Sequence, residues 1–303
     1  MLVRHRLFQG VLVLALLVPA AAHARPGDLY VGDPGVNAVI RVDHQTGKQK
    51  IVASAGKLVS PDSGDFAGKH KLFIADYGAF GGGGAVFQVN TKTSGVATVS
   101  KDSRFKGPTD VAVASKNELD AVDPLAGTGS LGAIFDVNPK SGGTSILSQD
   151  QHFNGGPLGI GVLPNGKLLV SDQDAGPGDS GALLKVNPGS GNQSFVAKGG
   201  HLDDPYGMTV TGNGKTAYLA DASGNRIVRV TVSSGKQKVV AHGGKLDDPT
   251  DVALGLDGKL YVANDGSAHV GVLQINRKTG NQKVFATGGK LKFPEGLTVQ
   301  PAG

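Results

Sequence analysis

The chain has 303 residues, with 30 Lys plus Arg against 25 Asp plus Glu, a formal charge of +5. Charged residues make up 18% and apolar residues 39%, which suits a globular protein and excludes a disordered one. Glycine is abundant at 48 residues without a Gly-X-Y period, which excludes collagen, and cysteine is absent, which excludes disulfides, thiol chemistry and Cys-zinc sites.

Residues 1–24 read as a signal peptide. Arg4, His5 and Arg6 form a basic start, an apolar stretch runs from Leu7 to Ala22, and Ala22-His23-Ala24 is an A-x-A cleavage site. The apolar stretch is short for a membrane span, which needs about 20 residues, and no later segment is apolar enough to span. Cleavage before Arg25 leaves 28 basic and 25 acidic residues, a net of +3. The basic residues are mostly lysines in GGK and TGK turns, with no basic stripe interleaved with aromatics, so nucleic acid is not an expected partner. The expected location is secreted or periplasmic, and the expected state is a monomer.

From residue 25 onward the chain repeats. Six prolines head similar segments: Pro61, Pro108, Pro157, Pro205, Pro249 and Pro294, spaced 47, 49, 48, 44 and 45 apart. Most are followed by an x-Gly or x-Asp corner and an apolar alternation, as in GPTDVAV, GPLGIGV, DPYGMTV, DPTDVAL and FPEGLTV; the Pro61 copy, SPDSGDF, is degenerate. A second series of short strands ends in Asp33, Asp76, Asp123, Asp172, Asp221 and Asp265, spaced 43, 47, 49, 49 and 44 apart. Two landmarks with one period and one phase define a repeat of about 45 residues.

Each repeat spells four strands. PNGKLLV, GNGKTAYL and LDGKLYV predict two-residue Asn-Gly or Asp-Gly turns, with positive φ expected at both centres, between strands one and two. Third strands follow in AVIRV, AVFQV, AIFDV, ALLKV, RIVRV and GVLQI, and fourth strands in QKIVAS, QSFVAK, QKVVAH and QKVFAT. Four antiparallel strands per unit are a propeller blade, and no sustained helical period appears. Residues 28–56 carry strands two to four without a first strand, and residues 294–300 carry a first strand alone. The predicted fold is therefore all-β: a six-bladed β-propeller spanning residues 25–303, its last blade closed by a 1+3 pairing of the termini.

YLADASGNRIVRV at 218–230 resembles the NHL-repeat consensus, with Tyr218, Asp221, Asn225, Arg226, Ile227 and Val230 at its aromatic, Asp, Asn, Arg-Ile and apolar positions; LYVGDPGVNAVIRV at 29–42 is a looser copy. The pattern is similar to that of the streptogramin-lyase-like and gluconolactonase-like propellers. This resemblance implies the fold strongly and the activity weakly.

In this architecture the first strands line a central channel, and the proline corners and strand-two aspartates ring one face, here called the top. The aspartates are expected to form Asx-turns with their own downstream N–H groups. Departures from the repeat mark the candidate site: Glu295 after Pro294, Asp62 after Pro61, and Asp110 and Asp251 where other corners carry glycine. Asp62, Asp110, Asp251 and Glu295 could hold a hard cation such as Ca²⁺ or another divalent ion near the channel mouth. The gluconolactonase-like resemblance implies a metal held in a comparable place by Glu, Asn and Asp. The alternative is that Asp110 and Asp251 cap their own corners. The streptogramin-lyase-like resemblance implies His and Glu near a metal, which makes His201 and His242, with Glu295, the catalytic candidates. His152 and His269 also fall in loops.

The glycine-rich runs GGGG (81–84), AGTGSLG (126–132) and AGPGDSG (ending at Gly181) lack the helix and Lys-Ser/Thr of a phosphate loop and are expected to be long top-face loops. Two functions stay open: a module binding a small molecule, glycan or protein across its top face, or a metal-dependent hydrolase or lyase of the gluconolactonase or streptogramin-lyase type.

Overall fold

A computed structural model describes residues 24–54, 56–115 and 118–302. The first 23 residues of the signal-like segment lie outside the described residues. No helix among the described residues is long and apolar enough to cross a membrane.

The chain forms six four-stranded antiparallel sheets. Blade 6 holds β1 (Leu29–Asp33), β2 (Ala38–Val42) and β3 (Gln49–Ser54). Blade 1 is β4–β7 (Pro61–Phe66, Lys71–Asp76, Ala85–Asn90, Gly95–Ser100), and blade 2 is β8–β11 (Asp110–Ser115, Glu118–Asp123, Ala133–Val137, Thr144–Gln149). Blade 3 is β12–β15 (Pro157–Val162, Leu168–Asp172, Ala182–Val186, Gln193–Lys198), and blade 4 is β16–β19 (Pro205–Val210, Thr216–Asp221, Arg226–Thr231, Gln237–His242). Blade 5 is β20–β23 (Pro249–Leu254, Leu260–Asn264, Gly271–Ile275, Gln282–Thr287). The last strand, β24 (Gly296–Val299), pairs with β1 with Leu29 opposite Val299 and completes blade 6 as expected. The innermost strands contact one another around the full ring, from β24 through β4, β8, β12, β16 and β20 back to β24.

Period-two alternation sends successive side chains to opposite neighbours. Leu29 and Val31 pack with Tyr261 and Ala263 of blade 5, while Tyr30 between them packs with Leu72 and Ile74 of blade 1. The apolar core is thus six clusters, one at each blade-to-blade interface. At the closing blade, Gly27 and Gln300 exchange hydrogen bonds with the opposite terminus, and the buried Asp28 carboxylate holds His44 (Nδ1 at 2.9 Å) beside Arg41.

Two details differ from the sequence reading. In PNGK, GNGK and LDGK only Gly166, Gly214 and Gly258 take positive φ. Each glycine N–H bonds the carbonyl three residues back (Leu163, Thr211, Gly255), so the loop is a type I turn ending in a bulge rather than a turn with two left-handed centres. In blade 5 the strand-two landmark is Asn264, not Asp265: Asn264 faces Pro249 as Asp172 faces Pro157 and Asp221 faces Pro205.

Candidate functional site

The strand-two aspartates do more than form Asx-turns. Asp123 is fully buried; its Oδ2 accepts the Lys106 and Gly107 N–H groups at 2.7 and 3.1 Å, and its Oδ1 accepts those of Leu125 and Ala126. Asp33, Asp76, Asp172 and Asp221 likewise tie the loop entering strand one across to the strand-two end, and Asn264 does so through Asp247. These carboxylates build the top face and are not its open chemistry. The glycine-rich loops share this role: a side chain at Gly84, Gly132 or Gly181 would overlap the ring of Pro108, Pro157 or Pro205 of the next blade.

The corners are different. Pairing slips between Pro61 and Gly64, Pro157 and Gly159, Pro205 and Met208, and Pro249 and Asp251. These bulges release the residue after the proline from the ladder, and a bulge re-aims the side chain it frees. Asp62, Thr109, Leu158, Tyr206, Thr250 and Glu295, one from each blade, together line a small chamber of about 40 Å³ at the channel mouth. Below it lies a larger chamber of about 290 Å³, bounded by Asp65, Ile160, Met208, Val252 and Leu297. Ser63, Asp110 and Asp251 line both chambers and form the waist between them.

The four carboxylates singled out by sequence all line the upper chamber, but they fall into two kinds. Asp110 and Asp251 are buried and engaged. Asp110 accepts the Val111 N–H at 2.8 Å and, from blade 3, the Ile160 N–H at 2.9 Å. Asp251 accepts the Val252 N–H, the Leu297 N–H at 2.7 Å from blade 6, and the Ser63 hydroxyl at 2.9 Å from blade 1. Each caps its own corner and pins a neighbouring inner strand. Burial pushes Asp110 up to about 7, against the pull of those N–H groups, and holds Asp251 well above the carboxylate range, helped by Asp110.

Asp62 and Glu295 are half-buried and face the channel. No donor lies against the Glu295 carboxyl or the Tyr206 hydroxyl among the described residues. Desolvation, then Glu295, Asp110 and Asp251, hold Asp62 well above its ordinary range. Desolvation, then Asp265, Asp248 and Asp33, push Glu295 up to about 7. Asp265, one oxygen of which is buried without a partner, is pushed up to about 6 by burial and by Asp248 and Asp33. Asp204 is raised by burial and by Asp221, Asp174 and Asp248. The charges that act on this mouth are carboxylates.

Among the described residues no three His, Asp or Glu side chains come together closely enough to hold a divalent ion, and the oxygens of Asp110 and Asp251 already serve protein donors. The histidines do not join the site. His201 lies in a turn where its N–H is held at 2.6 Å by Gln237, as Gln282 holds Lys245 and Gln49 holds Lys290. His242 is the last residue of β19 rather than a loop residue, and it is exposed. His152 stacks on Phe195, with ring centroids 4.6 Å apart, and His269 lends its carbonyl to Asn264. None of the four lines the chamber.

Sequence reasoning did not single out Tyr206, Asp204, Asp248 or Asp174. The Asp-Asp-Pro motif, repeated at 203–205 and 247–249, was the available signal. It also passed over Asp120, which stands where other blades carry Tyr30, Phe73, Tyr218 and Tyr261; burial and the nearby Glu118 and Asp136 push it up to about 7.

Comparison with known proteins rests on shape. A chain in the crystal structure of a nidogen/laminin complex superposes with a TM-score of 0.73 at 15% identity, covering 91% of this chain and 98% of that one. That likeness accords with the six-bladed propeller seen here. A streptogramin B lyase structure matches with a TM-score of 0.58 at 14% identity, covering 78% of this chain and 72% of that one. At these identities the likeness is one of fold alone. No family model matches the chain, and no curated protein matches it.

Proposed function

We propose that this chain is an exported propeller that binds a partner across its top face, acting in the periplasm or outside the cell. The observation that carries the reading is the ring at the channel mouth. The corners, four of them bulged, bring six residues of mixed chemistry together above a waist whose own polar groups are consumed by structure. Such a ring suits recognition: binding sites combine apolar surface with a few convergent polar groups. The signal-like segment at 1–24 supports export. The nidogen/laminin complex supports the reading by analogy, since that propeller-like chain was solved in a protein complex.

Streptogramin B lyase supports by the same analogy a metal-dependent hydrolase or lyase, with Glu295 as its best-placed carboxylate. Melting the purified chain with Ca²⁺ or Mg²⁺, together with a screen of lactone hydrolysis, separates the two. Binding function predicts an unchanged melting temperature and no turnover. A stoichiometric divalent ion with turnover abolished in Glu295→Gln would overturn it.

A further inference from the structure

We propose that the partner is a protein segment that seats a Lys or Arg side chain in the channel mouth and lays flanking apolar residues across the loops of blades 6, 1 and 2. This rests on the reading of the top face as a binding surface.

The apolar part comes first. Val59, Tyr77, Phe80, Leu125, Leu131 and Phe293 are each 37–54% exposed, and all sit in top-face loops. They follow one another around an arc. Phe293 lies against Gly35, Val59 against Gly78, and Tyr77 over Gly107, whose N–H shares the Asp123 carboxylate with the Leu125 loop. Phe80 holds a left-handed backbone (φ 52°), costly for a bulky residue, while its ring stacks on Phe87 and stays half in solvent. Strain that keeps an aromatic ring exposed points to a contact. An arc of apolar side chains this continuous is the mark of a docking surface.

Charge fixes the occupant. Asp174, Asp204, Asp248 and Asp265 stand on the opposite side of the mouth, in blades 3, 4 and 5, with Glu295 and Asp62 between them and the arc. None of the six is in an ion pair among the described residues. The loops entering strand one on this face also carry Lys57, Lys106, Lys245, Lys290 and Lys292, but the charges that act on the Asp62, Asp204, Asp265 and Glu295 carboxyls are other carboxylates. Among the described residues no three His, Asp or Glu side chains are grouped there as a set for a divalent ion. An ammonium or guanidinium needs none: it takes the summed field of the carboxylates and the face of an aromatic ring, here Tyr206. A chamber of about 40 Å³ admits a side-chain head group and not a whole ligand. The rest of the partner must therefore lie outside, on the arc.

The test uses the full chain and four fluorescein-labelled hexapeptides whose central residues are Phe-Lys-Leu, Phe-norleucine-Leu, Phe-Glu-Leu or Gly-Lys-Gly, followed by fluorescence polarisation. The Phe-Lys-Leu probe should bind about ten- to a hundredfold tighter than the norleucine probe, the range expected for a charged hydrogen bond in a partly buried site. Glu295→Gln and Asp62→Asn should remove that preference; both relieve repulsion, so neither threatens the fold. Phe80→Ser and Leu125→Ser should weaken the lysine and norleucine probes alike. Equal or weaker binding of the lysine probe, or a preference that survives in the Glu295→Gln, Asp62→Asn double variant, overturns the inference. If the norleucine or glutamate probe then still binds and is lost in Phe80→Ser, the top-face reading stands without it; if no probe binds and lactones are turned over with a divalent ion, both fall.

Discussion

Between pH 5 and pH 8 the Asp110→Asn variant should gain stability on the unsubstituted chain. Asp110 is 6% exposed, and burial raises its carboxyl from an ordinary 3.8 to about 7. The folded state therefore holds a proton that the unfolded state gives up. Its stabilising contribution is complete below pH 3.8 and is lost as pH climbs through 7. The asparagine variant has no such proton. Across pH 5 to 8 its stability relative to the parent should rise by about 2.5 kcal/mol, from 1.36 kcal/mol per pH unit over the window between the two values. At pH 5 the variant should lie within about 1 kcal/mol of the parent, because the parent carboxyl is then itself neutral and, like an amide, offers one good acceptor oxygen to the Val111 and Ile160 N–H groups. Urea unfolding of both chains at the two pH values measures this. A difference that stays constant within about 0.5 kcal/mol would refute the claim that Asp110 is desolvated at the waist.

Gly207→Ala should cost about 1–3 kcal/mol, since its methyl group would overlap the Asp251 carboxylate, and thermal melts should show most of the cost removed in an Asp251→Gly background. Asp123→Ala should cost about 3 kcal/mol or more by leaving four loop N–H groups without their acceptor, whereas Asp123→Asn should cost less; hydrogen exchange of Lys106, Gly107, Leu125 and Ala126 would locate the loss.

The blade count, the phase of the repeat and the 1+3 closure were legible because each rests on local chemistry that recurs. Alternating apolar residues make the strands, and turn residues separate them. What was not legible was long-range. Nothing near Asp123 in sequence says that its carboxylate holds N–H groups 16 and 17 residues earlier. The turn type was misread because Asn-Gly suits two geometries, and the strand-one bulge decides between them only in the folded sheet. Asn264 was passed over for Asp265 because a one-residue shift is invisible without register. The four carboxylates were found as departures from the repeat, but only the structure separates Asp110 and Asp251, which are spent on donors from neighbouring blades, from Asp62 and Glu295, which are not.

That separation follows from where the corner bends. The third corner residue, Ser63, Asp110, Gly159, Gly207, Asp251 or Gly296, points across the waist to the next blade, so its size is set by its neighbour: Asp251 fits because Gly207 beside it has no side chain. The second corner residue faces the channel mouth; at Thr109 and Thr250 its hydroxyl also donates to the next blade, to the Leu158 and Pro294 carbonyls, whereas Asp62, Leu158, Tyr206 and Glu295 have no such side-chain bond among the described residues. Packing constrains the third position and leaves the second, at Asp62, Leu158, Tyr206 and Glu295, to the ligand. The four second-position residues without such a bond share no property, acidic at Asp62 and Glu295, apolar at Leu158 and aromatic at Tyr206, as expected of positions that no blade contact dictates. A substitution among them should therefore change binding with little change in stability, whereas one at the waist should do the reverse.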